Sequence, residues 1–188
     1  MTPKIPHTVE IIDKLRSNAH IGKHSHFEAS KRGRHFHVVV GLPIVVINVL
    51  LGSLLFALVK DTLPDWSKWV GGIFSLVAAM LGAMQTFFNF KGDYEGHRSV
   101  GNQYLSIARE CERLLAFYFD GNITLKQLCE KVDSLNERYQ KVNAEAEKFM
   151  VKDKDYQKAL ATQNEKMKNE PSLVQRVLSG MAQAFEHQ

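Results

Sequence analysis

The sequence predicts an all-α integral membrane protein, a two-span transmembrane helical hairpin followed by a long cytoplasmic helical hairpin or coiled-coil stalk. Three observations carry that expectation. The chain has 24 Lys+Arg and 20 Asp+Glu, yet residues 38–90 hold only Lys60, Asp61, Asp65 and Lys68, while every other charge lies outside them. Two uncharged apolar runs of 22 residues occupy most of that interval, Val38 to Val59 and Trp69 to Phe90. Beyond them, apolar residues recur three and four apart, the period of a helix with one buried face. The net charge of +4 is modest and points to no nucleic-acid partner. Cys111 and Cys129, without CxxC spacing, exclude a disulfide framework and suit a reducing cytosol.

Residues 1–37 read as a basic amphipathic N-terminal helix. Val9, Ile12, Leu15 and Ala19 share a face, and a Gly/Ser/His-rich stretch follows before the first span. This is expected to be a short helix returning along the hairpin. Seven Lys/Arg against three acidic residues hold the flank in the cytoplasm by the positive-inside rule.

Residues 38–59 form transmembrane helix 1. A run of 22 residues rises about 33 Å as a helix, enough for a hydrocarbon core of about 30 Å. Sixteen of its positions are Val, Ile, Leu or Phe, which favours insertion despite Pro43 and Asn48. A cleaved signal peptide is excluded because the run starts after 37 residues and is too long for such a core. A pair of buried helices in a soluble protein is the competing explanation, but too little other apolar sequence remains to wrap them.

Residues 60–68 are a short outer loop with a turn-forming Pro64, and residues 69–90 are transmembrane helix 2. Trp66 and Trp69 suit the outer interface. Two spans return the chain, so Lys91 to Gln188 is expected in the cytoplasm. Residues 91–150 predict a helical hairpin. Val100, Tyr104, Ile107, Cys111, Leu114 and Tyr118 form one stripe, and Asp120, Gly121 and Asn122 interrupt it. Thr124 with Gln127 has capping-box spacing and starts a second helix with the stripe Leu125, Leu128, Val132, Leu135, Tyr139, Val142, Ala146 and Phe149. The short connection favours an antiparallel pair with facing stripes, and zippering between chains is the alternative. Residues 151–188 predict a polar exposed helix or linker, then an amphipathic helix opened by Pro171 with Val174, Val177, Leu178, Met181 and Phe185 on one face.

No nucleophile elbow, Walker loop, GxGxxG or paired-carboxylate arrangement is present, so the chain is expected not to be an enzyme and to need no cofactor. Six histidines lie in the first 37 residues, and His20 and His24 share a helical face, a spacing that can hold a metal. Without a cysteine or an HExxH frame, they read instead as solvated or headgroup-facing groups beside a basic cluster on membrane lipid.

The informative constellation is in the second span. Gly71, Ser75, Ala78, Gly82, Gln85 and Asn89 are spaced four, three, four, three and four, a face small at one end and polar at the other. Amides facing lipid are costly, so Gln85 and Asn89 should face protein or water. Either the face lines an oligomeric aqueous path, or small residues at Gly71, Ser75, Ala79 and Ala83 simply allow close helix packing. Asn48 in the first span can bond across to the second.

The order of parts, with the segment His97-Arg98-Ser99-Val100-Gly101-Asn102-Gln103-Tyr104-Leu105-Ser106-Ile107-Ala108-Arg109-Glu110 after the second span, resembles the SLATT proteins, the two-span effector family of prokaryotic conflict systems. The resembling core is roughly residues 28–120, with His97, Gly101, Tyr104, Arg109 and Glu110 at the positions typical of the family. The resemblance implies a homo-oligomeric pore in the bacterial inner membrane that depolarises or kills an infected cell and so limits phage spread. It also implies a trigger from a nucleotide second messenger, a sensor or reverse-transcriptase partner protein, or nucleic acid. His97, Arg98 and Arg109 are then natural contacts for an anionic trigger.

Overall fold

A computed structural model describes residues 6–59, 64–170, 174–177 and 179. Those residues form five helices: α1 (His7–Val59), α2 (Trp66–Phe88), α3 (Phe90–Phe119), α4 (Leu125–Ala146) and α5 (Asp153–Asn169), with no strand among them. Residues 60–63 of the outer loop lie outside the described residues, as do Pro171, Leu178, Met181 and Phe185 of the C-terminal helix. Val174 to Val177 are helical, and Val174 is buried.

The chain divides into two compact units, one of residues 1–29 with 96–188 and one of residues 30–95. In the first unit α1 and α4 both pack on α3. The predicted stripes are its core: Val9, Ile12, Leu15 and Ala19 of α1, Val100, Tyr104, Ile107, Cys111 and Leu114 of α3, and Leu128, Val132, Leu135 and Val142 of α4 are all buried. The α3–α4 pair is antiparallel. Tyr104 Oη donates to Asn143 Oδ1 at 2.7 Å, Gln103 Nε2 donates to Glu145 Oε2 at 2.8 Å, and Arg138 is ion-paired with Glu110. Phe149 rests on His97, at 5.8 Å between ring centres.

The turn between α3 and α4 follows from its residues. Gly121 has φ 73°, its N–H donates to the Tyr118 carbonyl at 3.1 Å, and the Asn122 N–H donates to the Phe117 carbonyl at 2.8 Å. This paired closure satisfies carbonyls the helix end would otherwise orphan, and glycine takes the left-handed position without steric cost. Thr124 then forms the predicted capping box: its hydroxyl accepts from the Gln127 N–H at 3.3 Å, and Gln127 Oε1 accepts from the Thr124 N–H at 2.9 Å.

Two expectations are corrected and one is narrowed. The N-terminal helix and the first span are not separated by a Gly/Ser/His-rich break, because α1 is one helix throughout. Its small residues are docking slots for rings. A Cβ at Gly22 would stand 3.0 Å from the Tyr104 ring, and the small residue Gly101 of α3 receives Phe27, with a Cβ there only 2.7 Å from the ring. Ser25 stays helical because its hydroxyl donates back to the Ile21 carbonyl at 2.8 Å. Of the two alternatives for the polar segment after residue 150, the helix is the one formed: α5 is largely exposed but buries Asp155, Ala159 and Gln163, while its large side chain Tyr156 is exposed. Lys158 is ion-paired with Glu28 of α1. Finally, the helix of the second span runs from Trp66 to Phe88 instead of 69–90, and Asn89 separates α2 from α3.

Two histidines hold α1 to α3 from inside. His26 and His97 are 4% and 1% exposed, and their Nδ1 atoms stand 3.0 Å apart, so one ring donates and the other accepts. A second proton on the accepting ring would leave two N–H groups pointing at each other, and one on the donating ring would put an unpaired charge in the core. Burial and the facing His97 lower the pKa of His26 to about 4. His24, whose Nε2 is buried without a hydrogen-bond partner, is likewise lowered to about 4 by burial and by Lys23. Of the two thiols, Cys111 is buried and pushed up to about 12 by its burial, whereas Cys129 is exposed.

Lowered folded-state values mean that unfolded histidines take up protons that the folded ones refuse. This contribution to stability is complete above the ordinary histidine value of 6.5 and is lost as pH falls toward about 4. Thermal unfolding of the protein in detergent, followed by circular dichroism, should show that loss, at up to about 1.4 kcal/mol per pH unit for each proton. His26→Leu/His97→Leu should flatten the pH dependence without abolishing it, because His24 remains. Gly101→Val should destabilise the unit by about 1–3 kcal/mol at any pH, by forcing its side chain into Phe27.

Candidate functional site

The hairpin unit, residues 30–95, contains two helices long and apolar enough to cross a membrane. None of the most apolar stretch of α1 is buried, and hardly any of α2 is. Such apolar exposure has no counterpart in the interior of a soluble protein. Val39, Leu42, Val49, Leu50, Leu55, Ile73, Leu76 and Phe87 all face outward.

The two helices are antiparallel and touch through a seam of small and polar residues. A Cβ at Gly71 would stand 2.8 Å from Leu54 Cδ2, and a Cβ at Gly41 3.2 Å from Gln85 Nε2. Gln85 Nε2 also lies 3.4 Å from His37 Nδ1. Further along, Ser30 Oγ donates to the Tyr94 carbonyl at 2.8 Å, Gly33 abuts the Tyr94 Cβ, and Phe36 stacks on Phe90. The seam in α2 is therefore Gly71, Ala78 and Gln85, seven residues apart, with Ala78 buried. Seven residues are close to two helical turns, so the three sit in one line and let the backbones approach.

The six-residue face expected in the second span is thus divided. Gly71, Ala78 and Gln85 turn to the first span, while Ser75 is exposed and a Cβ at Gly82 would meet nothing within 4 Å. Ser75 borders a groove of about 310 Å³ shared with Leu51, Leu54, Leu55, Lys68, Gly71 and Gly72. Asn48 is exposed on the first span and bonds to no residue of the second among those described. Asn89 does not continue the face. It has φ 41° and ψ 44°, a left-handed conformation that caps α2, and its Oδ1 accepts from the Gly92 N–H at 3.3 Å. Asparagine is the non-glycine residue best suited to that conformation, because its short side chain bonds locally.

The three expected trigger contacts are not brought together. His97 is in the core against His26, while Arg98 and Arg109 are on the outer surface of α3. Arg109 borders a shallow groove of about 410 Å³ with Asn102, Leu105, Ser106, Glu110 and Arg113. On α1, His20 Nε2 lies 3.0 Å from Glu112 Oε1, which also receives Arg16 at 3.6 Å. Burial lowers the pKa of His20 against that carboxylate's pull. Among the described residues no group of three or more His, Cys, Asp or Glu side chains is placed to hold a metal. The sequence reading missed His26 and His37 as polar partners. Only the antiparallel register, once known, pairs them with His97 and Gln85.

Substitution at Asn89 separates its backbone role from any other. Asn89→Gly should leave thermal stability in detergent nearly unchanged, whereas Asn89→Val should lower it by about 1–2 kcal/mol, since a β-branched residue resists positive φ.

Neither a curated protein nor a solved structure matches the chain. The sequence pattern of the SMODS and SLOG-associating 2TM effector domain family 4 matches residues 27–172, which takes in both apolar helices, α3, α4 and α5. That match covers well over half of the 188 residues, and the all-helical fold with two membrane-length helices agrees with it. The chain belongs to the SMODS and SLOG-associating two-transmembrane effector domain family, whose members serve as effectors of conflict systems.

Proposed function

We propose that the chain is an oligomeric pore-forming effector of a bacterial anti-phage, abortive-infection system, resident in the inner membrane with both termini in the cytoplasm and triggered from there. The observation that carries the reading is Asn48. It stands midway along an apolar run of 22 residues, exposed, with no hydrogen-bond partner on the other span among the described residues. A carboxamide facing hydrocarbon is costly, and an interhelical hydrogen bond in a membrane contributes about 1–2 kcal/mol, so a second copy or water is the favoured neighbour. Ser75 and the open side of Gly82 add a narrow, weakly polar face beside it on the same unit. A nucleotide second messenger or a sensor protein would act by favouring one packing of the bundle helices over another, a population shift that needs differential affinity for the two states.

A non-conducting membrane scaffold is the second reading. It is favoured by the commitment of Gly71, Ala78 and Gln85 to packing within the hairpin, which leaves fewer polar groups to line a path. The test is ion flux from liposomes holding inserted protein, with and without candidate nucleotides. For a pore, Asn48→Leu and Ser75→Leu should each lower flux at least about tenfold, while Asn89→Gly should not. Undiminished function in cells with no flux from any inserted, triggered sample would put the scaffold first.

A further inference from the structure

The bundle unit carries two stripes of opposite charge on its outside. On α3, Asn102, Ser106, Arg109, Arg113 and Phe117 lie on the side away from the core, and Arg109, Arg113 and Phe117 are exposed. The acids nearest them are already engaged, Glu110 with Arg138 and Glu112 with Arg16 and His20. On α4, Glu130, Asp133 and Glu137 are three and four residues apart, all exposed and diametrically opposite the buried Leu128, Val132 and Leu135. None of these three carboxylates, nor Arg109 or Arg113, forms an ion pair among the described residues.

The stripes stand at one height. The antiparallel register observed in Gln103–Glu145, Tyr104–Asn143 and Glu110–Arg138 continues to bring Arg113 level with Leu135, between Asp133 and Glu137, and Arg109 level with Tyr139. Arg109 and Arg113 are about 6 Å apart along the axis, and so are Asp133 and Glu137. Lys126 and Lys141 lie one turn beyond the acidic stripe at either end, so a slip by a turn or more would set lysine against arginine.

We infer that these stripes are the two halves of a contact between copies of this chain, the α3 face of one copy docking on the α4 face of the next. Like charges forbid α3 on α3 and α4 on α4, so the contact is head-to-tail. A head-to-tail contact between patches at equal height has no rise along an axis parallel to the bundle, so copies repeated about that axis stay in one plane, as a ring requires. Phe117 supplies an apolar anchor beside the arginines. The inference rests on the oligomeric reading above and specifies its interface.

The test is the subunit number of the full chain in nanodiscs by native mass spectrometry. Arg109→Glu/Arg113→Glu and Asp133→Lys/Glu137→Lys should each weaken assembly at least about tenfold. An equal mixture of the two variants should reassemble, as should a single chain carrying all four changes. Circular dichroism of each variant is the control for folding, and these exposed substitutions should leave the helical signal unchanged. A monomeric wild type, reversals without effect, or reversals that mixing does not rescue would each overturn the interface. Rescued assembly without flux would instead remove the pore reading and leave the interface standing, and flux from rings indifferent to charge reversal would do the opposite.

Discussion

One helix has to satisfy two solvents. The first part of α1 sinks Val9, Ile12, Leu15 and Ala19 into a bundle whose outside is charged, and the later part presents Val39, Leu42, Val49 and Leu55 outward on a surface suited to hydrocarbon. Water can take up a stray backbone group; lipid cannot, so a continuous ladder of helix hydrogen bonds is the only economical backbone for the apolar half. Extending that ladder into the polar half removes any need for a cap at the boundary, where four carbonyls and four N–H groups would otherwise need partners. Between the halves, Gly22 leaves room for the Tyr104 ring and Gly33 for Tyr94, while Ser25 bonds its hydroxyl back to the Ile21 carbonyl.

Polar side chains inside the two units follow the same economy. A buried ring nitrogen or amide is tolerated when one specific partner meets it, and the partner then fixes which faces can touch. Among the described residues His26 hydrogen-bonds to His97 and Tyr104 to Asn143, at heights that favour one register of α1 and α4 on α3. In the hairpin, Gln85 plays the corresponding part against His37 and the bare backbone at Gly41. Apolar stripes alone would allow the helices to slide by a turn; these pairs do not.

How much of this was legible in the sequence depends on range. The capping box at Thr124 and Gln127, the stop at Gly121 and the core stripes of α1, α3 and α4 involve residues within one or two turns, and their spacing is their mechanism. The family was legible too, from the motif between His97 and Glu110 placed behind two spans. The continuity of α1 was not, because Gly22 and Ser25 resemble a break until the ring over Gly22 and the back-bond of Ser25 to Ile21 are known. Nor was the role of His97, which its basic neighbour Arg98 made look like a surface contact and which packs instead against a residue 71 positions away. Asn89 misled for a different reason: a helical projection assigns every residue to a face, and a single left-handed residue ends the projection.

The two thiols make the chain its own labelling reagent. Thiolates, not thiols, react with alkylating probes, and Cys111 is both sealed in the core and held protonated, whereas Cys129 is open to solvent. A membrane-impermeant maleimide therefore addresses one atom of the native protein, with no cysteine removed or added. That atom lies 3.3 Å from Thr8 Oγ1 of α1, at a solvent-exposed edge of the bundle, so accessibility from one face of a sealed vesicle reports the sidedness of the bundle.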